Sequence, residues 1–163
     1  MLFGLLILSM RDVCQMTANA LKEFVQPSFT LTESATLSLL NVAVDKADEL
    51  GIKATVAVVD QSGRLLAFVR MAGSFLISSE LAQKKAFTAA GMGVESVKLE
   101  SILKTAEPRV LEGLTQAGEF TVIGGGVPVF WGGVLIGGVG VSGGSEEQDI
   151  KCAQAAAAHL SCP

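Results

Sequence analysis

Few side chains in this chain have the means to do chemistry. Arg70 closes an apolar segment, Lys84 and Lys85 stand together in the next one, and Glu146, Glu147 and Asp149 cluster near the C-terminal end. A guanidinium or ammonium beside a carboxylate can clamp a small hydroxy acid through charge-assisted hydrogen bonds. Arg70, Lys84 or Lys85 and Glu147 therefore make up the enzymatic reading. Nothing in the spacing sets a nucleophile against a base, so a non-catalytic role is favoured. His159 is the single histidine. It sits in an Ala-rich last turn, where an imidazole complements the helix C-terminus, and it leaves no multi-His metal centre within one chain. Cys14, Cys152 and Cys162 are odd in number and lack a C-x-x-C pair, which suits neither a disulfide framework nor a zinc site. No metal site is expected.

The glycines are the other candidates. There are eighteen, twelve of them between Gly113 and Gly144. The G-x-x-x-x-G-K-[ST] pattern is absent, and residues 138–143 (GVGVSG) lack the last two-residue gap of G-x-G-x-x-G. Glu146 and Glu147 would repel a phosphate at the helix start near Ser145. Tight turns and close backbone approach are the preferred reading.

The elements that must position these groups can be read from the pattern. Thr30-Leu31-Thr32-Glu33 has capping-box form, and Leu37, Leu40, Val44, Ala47 and Leu50 give a helical stripe over 32–50, stopped by Gly51. Residues 53–60 (KATVAVVD) read as a buried strand. Residues 64–71 read as its antiparallel return across a turn ending in Gly63. Ser78 or Ser79 caps a helix to about residue 90, with Leu81, Ala82, Ala86, Ala89 and Ala90 on its apolar side and Gly91 and Gly93 ending it. Residues 94–114 are helical with a break at Pro108, and 120–123 is a short strand. Residues 127–131 and 134–141 form a hairpin around Gly132-Gly133. Ser145-Glu146-Glu147-Gln148 caps the last helix, whose Ile150, Ala153, Ala157 and Leu160 face the core. The sum is an α+β fold: a five-stranded antiparallel sheet covered by helices, without the strict alternation of a doubly wound sheet.

Composition bounds the function. Half of the 163 residues are apolar and only 17% are charged, which excludes a disordered chain and points to extensive burial between subunits. The formal charge of −4 argues against nucleic acid or an anionic lipid surface as partner. The apolar run 2–8 is far short of the roughly 20 residues of a membrane span. No basic residue precedes it, as a signal peptide would require, so the cytoplasm is the expected location. Met10 and Met16 are alternative starts. Residues 1–27 are read as an N-terminal arm, partly disordered or a short helix, and 28–163 as one domain.

Two long stretches carry a resemblance. VAVVDQSGRLLAFVRMAGSFLISSELAQKKAFTAAGMG and GGGVPVFWGGVLIGGVGVSGGSEEQD, with the Ala-rich ending, resemble the GlcG/HbpS-like family, which includes the C-terminal domain of PduO-type proteins. The resemblance spans about residues 31–160. It implies a profilin-like fold, an antiparallel sheet between helical layers, and a homo-oligomer. It also implies a small-molecule-binding accessory role with haem or another tetrapyrrole as the leading ligand class. Alternatives are a structural or partner-binding protein of a dehydratase or glycolate-type enzyme system, and a weak enzyme on small carboxylic acids. Haem needs an iron ligand. The PduO-type branch is thought to use a His, and this chain has none in the body of the domain. A Thr has been implicated in the secreted branch, which makes Thr88 and Thr105 the hydroxyls to test, with Met71 and Met92 as soft alternatives. The ligand-binding candidates are thus Arg70, Lys84, Thr88, Thr105 and Glu147.

Overall fold

The computed structural model describes residues 28–160, so the proposed arm, Cys14 and Cys162 lie outside the described residues. Helix α1 runs over Glu33–Glu49. Its N-cap is Thr32, two residues beyond the Thr30 of the expected capping box, and it accepts a hydrogen bond from the Ala35 N–H at 3.2 Å while Glu33 opens the helix. At the other end Ile52 N–H reaches back to the Ala47 carbonyl and Gly51 takes the left-handed conformation, which closes the helix in a Schellman arrangement. The buried stripe is Thr36, Leu39, Ala43 and Ala47, rotated from the expected one. Leu37 points to solvent.

Strands β1 (Thr55–Asp60) and β2 (Leu65–Arg70) form the first hairpin. Helix α2 (Ser78–Met92) follows and ends at Gly93 in the left-handed conformation, with Gly91 still inside the helix. Two short helices, α3 (Ser96–Leu103) and α4 (Pro108–Thr115), are separated at Pro108, as expected. Strands β3 (Gly126–Trp131) and β4 (Val134–Ser142) turn through Gly132 and Gly133. Both glycines have positive φ, as a two-residue hairpin of this twist requires. Helix α5 covers Glu146–Leu160. Its capping box is complete: Gln148 N–H donates to Ser145 Oγ, and Ser145 N–H donates to Gln148 Oε1 at 2.9 Å.

Among the described residues the sheet has four strands in the order β2-β1-β4-β3, all antiparallel, not the five expected. Residues 120–123 do not pair with it. Their backbone groups are satisfied by side chains instead: Thr121 N–H donates to Thr88 Oγ1 at 3.0 Å, and the Ile123 carbonyl accepts from Ser96 Oγ at 2.8 Å. A β-rich composition became a strapped loop because two hydroxyls reach it first.

The layers follow from the two-residue period of the strands. Val56, Val58, Val129, Val139 and Val141 face α1 and α5 and build the main core with Leu39, Cys152 and Ala153. Ala57 and Val59 face α2 and meet Ala82, Ala86 and Ala90. On that face β4 offers glycine. A Cβ on Gly138 would stand 2.6 Å from the Ala86 carbonyl, and one on Gly140 would overlap the Ala82 carbonyl. Helix α2 thus rests almost backbone to backbone on the sheet. This is the close approach expected of the glycines, in place of a phosphate loop.

Candidate functional site

One buried ion pair organises the end of the molecule where β4 leaves the sheet. Lys85, on the sheet side of α2, is 1% exposed, and Asp149, in the first turns of α5, is 3% exposed. Lys85 Nζ donates to Asp149 Oδ2 at 2.7 Å and to the Val141 carbonyl at 2.9 Å. The other carboxylate oxygen accepts from Gly144 N–H at 2.9 Å. Gly125 closes the space above: a Cβ there would lie 2.7 Å from the Val141 carbonyl oxygen and 2.9 Å from the Asp149 side chain. Burial raises the Asp149 carboxyl above the ordinary aspartate value, against the pull of the Lys85 ammonium and the Gly144 and Gly143 amides. Gly124 N–H is likewise held by a carboxylate, Glu146 Oε1, at 2.6 Å. Amides that a bound phosphate would need are therefore occupied by the protein's own acids.

The sequence candidates lie around this pair without converging. Lys84 turns away from Lys85, pairs with Glu80 at 2.7 Å and lines an open polar cleft of about 370 Å³ with Glu80, Gln83, Gly118 and Glu119. The hydrogen bond it donates to the Glu80 carboxylate raises its ammonium above the usual lysine value. Thr88, one turn on, is buried. It accepts from Thr121 N–H, and its hydroxyl donates to the Glu119 carbonyl at 3.4 Å, fixing the wall of that cleft. Arg70 lies at the exposed end of β2 and donates through Nη2 to the Ser74 carbonyl at 2.7 Å. Thr105 is exposed beyond α3, its hydroxyl donating to the Ile102 carbonyl at 3.0 Å. Glu147 is exposed on α5 and pairs with Lys151 at 2.7 Å, which lowers its carboxyl below the usual range. Among the described residues, no hydrogen bond or ion pair joins Arg70, Lys84 and Glu147 to one another. Sequence spacing marked a lysine pair. Which member is buried depends on the rotation of α2 about its axis, and Lys85, not Lys84, shares the sheet-facing side with Ala82 and Ala89.

A second concavity is apolar. Phe29, Leu31, Ala35, Trp131, Ile136 and Leu160 line a groove of about 330 Å³, with Thr30 and Thr32 at its rim. Trp131, the only tryptophan, and Phe29 are both exposed there. Its size and lining suit a flat apolar ligand, and the residues fit the hydrocarbon body of a tetrapyrrole. Donors for a bound iron are sparse. Cys152 is buried, and burial pushes its thiol up to about 11. Met71 sulfur already accepts from Ala54 N–H at 3.3 Å. Met92 and His159 are exposed, and His159 precedes the groove residue Leu160. Among the described residues no group of three or more His, Cys, Asp or Glu side chains is placed to hold a metal ion. Among them also, no helix is long and apolar enough to cross a membrane.

The comparisons with known proteins agree with this architecture. The chain is 39% identical over 124 residues to the corrinoid adenosyltransferase PduO of Salmonella typhimurium, which covers 75% of this chain and 36% of that protein. It spans only about two fifths of the length of the PduO relatives it matches. The structure of a PduOC–haem complex superposes with a TM-score of 0.73 at 37% identity, covering 80% of this chain and 94% of that one. The structure of HbpS superposes with a TM-score of 0.76 at 32% identity, covering 83% and 94%. A family model described as haem degrading protein HbpS-like matches residues 31–158. With that match running from the residue before the α1 cap almost to the end of α5, the chain belongs to the HbpS-like family.

Proposed function

We propose that this chain is an oligomeric, non-catalytic, cytoplasmic accessory protein that binds haem or a related tetrapyrrole. The observation that carries the reading is the likeness to the PduOC–haem complex, which extends over nearly all of that chain. The apolar groove supports it with a ring-sized surface of Phe29, Leu31, Trp131 and Leu160. Thr105 is free to meet iron without breaking a tertiary contact, whereas Thr88 would have to release Thr121 N–H. Arg70 and Lys84 are held by the Ser74 carbonyl and by Glu80 and do not line the groove, and Glu147 pairs with Lys151, so none of the three is assigned to the propionate groups.

Haemin titrated into the purified chain should shift the Soret band and quench Trp131 fluorescence in parallel at micromolar concentration. No Soret change in that range overturns the reading. Thr88→Val, Thr105→Val and His159→Ala, titrated in the same way, identify the iron ligand by the variant whose spectrum moves.

The polar cleft at Lys84 favours a second, separate ligand class less well. Two carboxylates, Glu80 and Glu119, face one ammonium there, so a small carboxylic acid would meet repulsion. A partner-binding role beside a dehydratase or glycolate-type enzyme is supported by the likeness to PduO and to the protein GlcG of Escherichia coli, 33% identical over 112 residues.

A further inference from the structure

We infer that the β2 margin of the molecule is the surface on which a second copy of this chain seats. The inference rests on the oligomeric reading above and gives the oligomer a place. Helix α2 covers β1, β3 and β4 but leaves the same face of β2 open. Phe68 pairs with Ala57 and so lies on that face. Leu65 shares it through its pairing with Val59, and the extra residue of the bulge, Leu66, turns to the opposite face beside Leu31 and Leu37.

The surrounding residues make the patch continuous along the strand. At one end Gly63 packs under Phe87: a Cβ on it would stand 2.5 Å from the ring. At the other end Arg70 holds the Ser74 carbonyl, bringing the loop with Phe75 and Leu76 against the strand. Leu65, Phe68, Phe75, Leu76 and Phe87 are all exposed. Five large apolar side chains exposed side by side make a patch on the order of the largest found on an ordinary monomer, about 300–600 Å². Each partner of a standard interface buries about 800 Å², of which somewhat over half is apolar. The patch therefore supplies the apolar share that one side of a stable dimer needs.

Its chemistry fits a second copy better than a charged partner. Between Arg64 and Arg70 the strand carries no charge, and the Arg70 guanidinium is engaged within its own chain. A two-fold contact places the same patch against itself, and an uncharged centre does so without like-charge repulsion. The other margin differs. Strand β3 carries Pro128, which removes a backbone donor from that edge.

Sedimentation equilibrium of the full chain tests this without any ligand, so its outcome is independent of the haem titration. The wild type should be a dimer or an even multiple at 10–50 μM, a range in which a typical specific interface is saturated. Phe68→Glu should reduce the assembly to a smaller species, while Val134→Glu at the opposite margin should leave it unchanged. Leu65→Arg repeats the test should Phe68→Glu fail to give a native circular-dichroism spectrum. A monomeric wild type, an unchanged mass in both β2 variants, or an equal loss in Val134→Glu overturns the inference.

Discussion

Lys85 Nζ lies 2.7 Å from Asp149 Oδ2 and 2.9 Å from the Val141 carbonyl, so one ammonium ties α2, β4 and α5 together inside the protein. The pair lies 64 residues apart in sequence, and its geometry sets the first prediction. Asp149→Ala leaves a buried ammonium with only a carbonyl partner and removes the acceptor of Gly144 N–H. Breaking a buried pair in this way costs about 3–5 kcal/mol. Urea denaturation should show that loss, and the double replacement Lys85→Met with Asp149→Leu should recover most of it. A loss below about 1 kcal/mol for Asp149→Ala would sink the assignment of this pair as a main tie.

The second prediction concerns pH. Burial raises the folded-state Asp149 carboxyl above its unfolded value. A raised carboxyl contributes stability that is fully present below the unfolded value and is lost as pH rises through the folded value. Lys85→Met removes the charge that restrains this shift, so the raised value moves further up. Between pH 4 and 7 the variant should lose stability relative to wild type as pH increases. Denaturation midpoints that stay parallel across that range would contradict it.

Gly140 gives a steric prediction. A methyl group there overlaps the Ala82 carbonyl, and the obstacle is helix backbone, which has no rotamer to yield. Gly140→Ala should cost about 1–3 kcal/mol, the range of overpacked cores. Gly91→Ala, with open space around it, should cost nothing or stabilise slightly. Thermal melts of the two variants should therefore separate by several degrees.

Thr88 gives a local one. Thr88→Val keeps the shape but strands Thr121 N–H in a buried setting. The expected loss is about 1–3 kcal/mol. Hydrogen exchange should accelerate at residues 119–123 while the β1 and β4 amides stay protected. Uniform acceleration over the whole sheet would show that Thr88 does more than hold that loop.

Cys152 supplies a chemical check. Its thiol is buried and pushed up to about 11, so almost none is thiolate at pH 8. In the Cys14→Ser, Cys162→Ser background, Ellman's reagent should label the native protein only at the rate of unfolding and label it fully in denaturant.

Much of the fold was legible in the residues. Ser145 announced a helix start because capping is a local contest between a hydroxyl and the chain's own amides, and the same contest at the first helix went to Thr32 in place of the expected Thr30. Gly132-Gly133 fixed a hairpin for an equally local reason. Residues 120–123 were misread because their partners, Thr88 and Ser96, are remote in sequence and nothing in the segment reveals them. The buried cation was half legible. The lysine pair and the acids of the last helix, Asp149 among them, stood out as groups that could converge, but Lys84 was the one nominated and it is Lys85 that meets Asp149. The apolar groove was not legible at all: Phe29, Trp131 and Leu160 come from the start, middle and end of the domain. Short-range chemistry is written in adjacent residues, whereas a surface assembled from three distant segments is written only in the fold.

The seam between α2 and β4 also has an entropic side. It is made of Gly138, Gly140, Ala82 and Ala86, residues that lose no side-chain freedom when the chain orders. It therefore forms without the rotamer loss that leucine or methionine would incur, and it holds no rotamer states through which to relax afterwards. Lys85 and Thr88 ride on this helix between the same contacts. Their backbones can shift only with the helix, so the buried charge and the loop strap are anchored on one shared element.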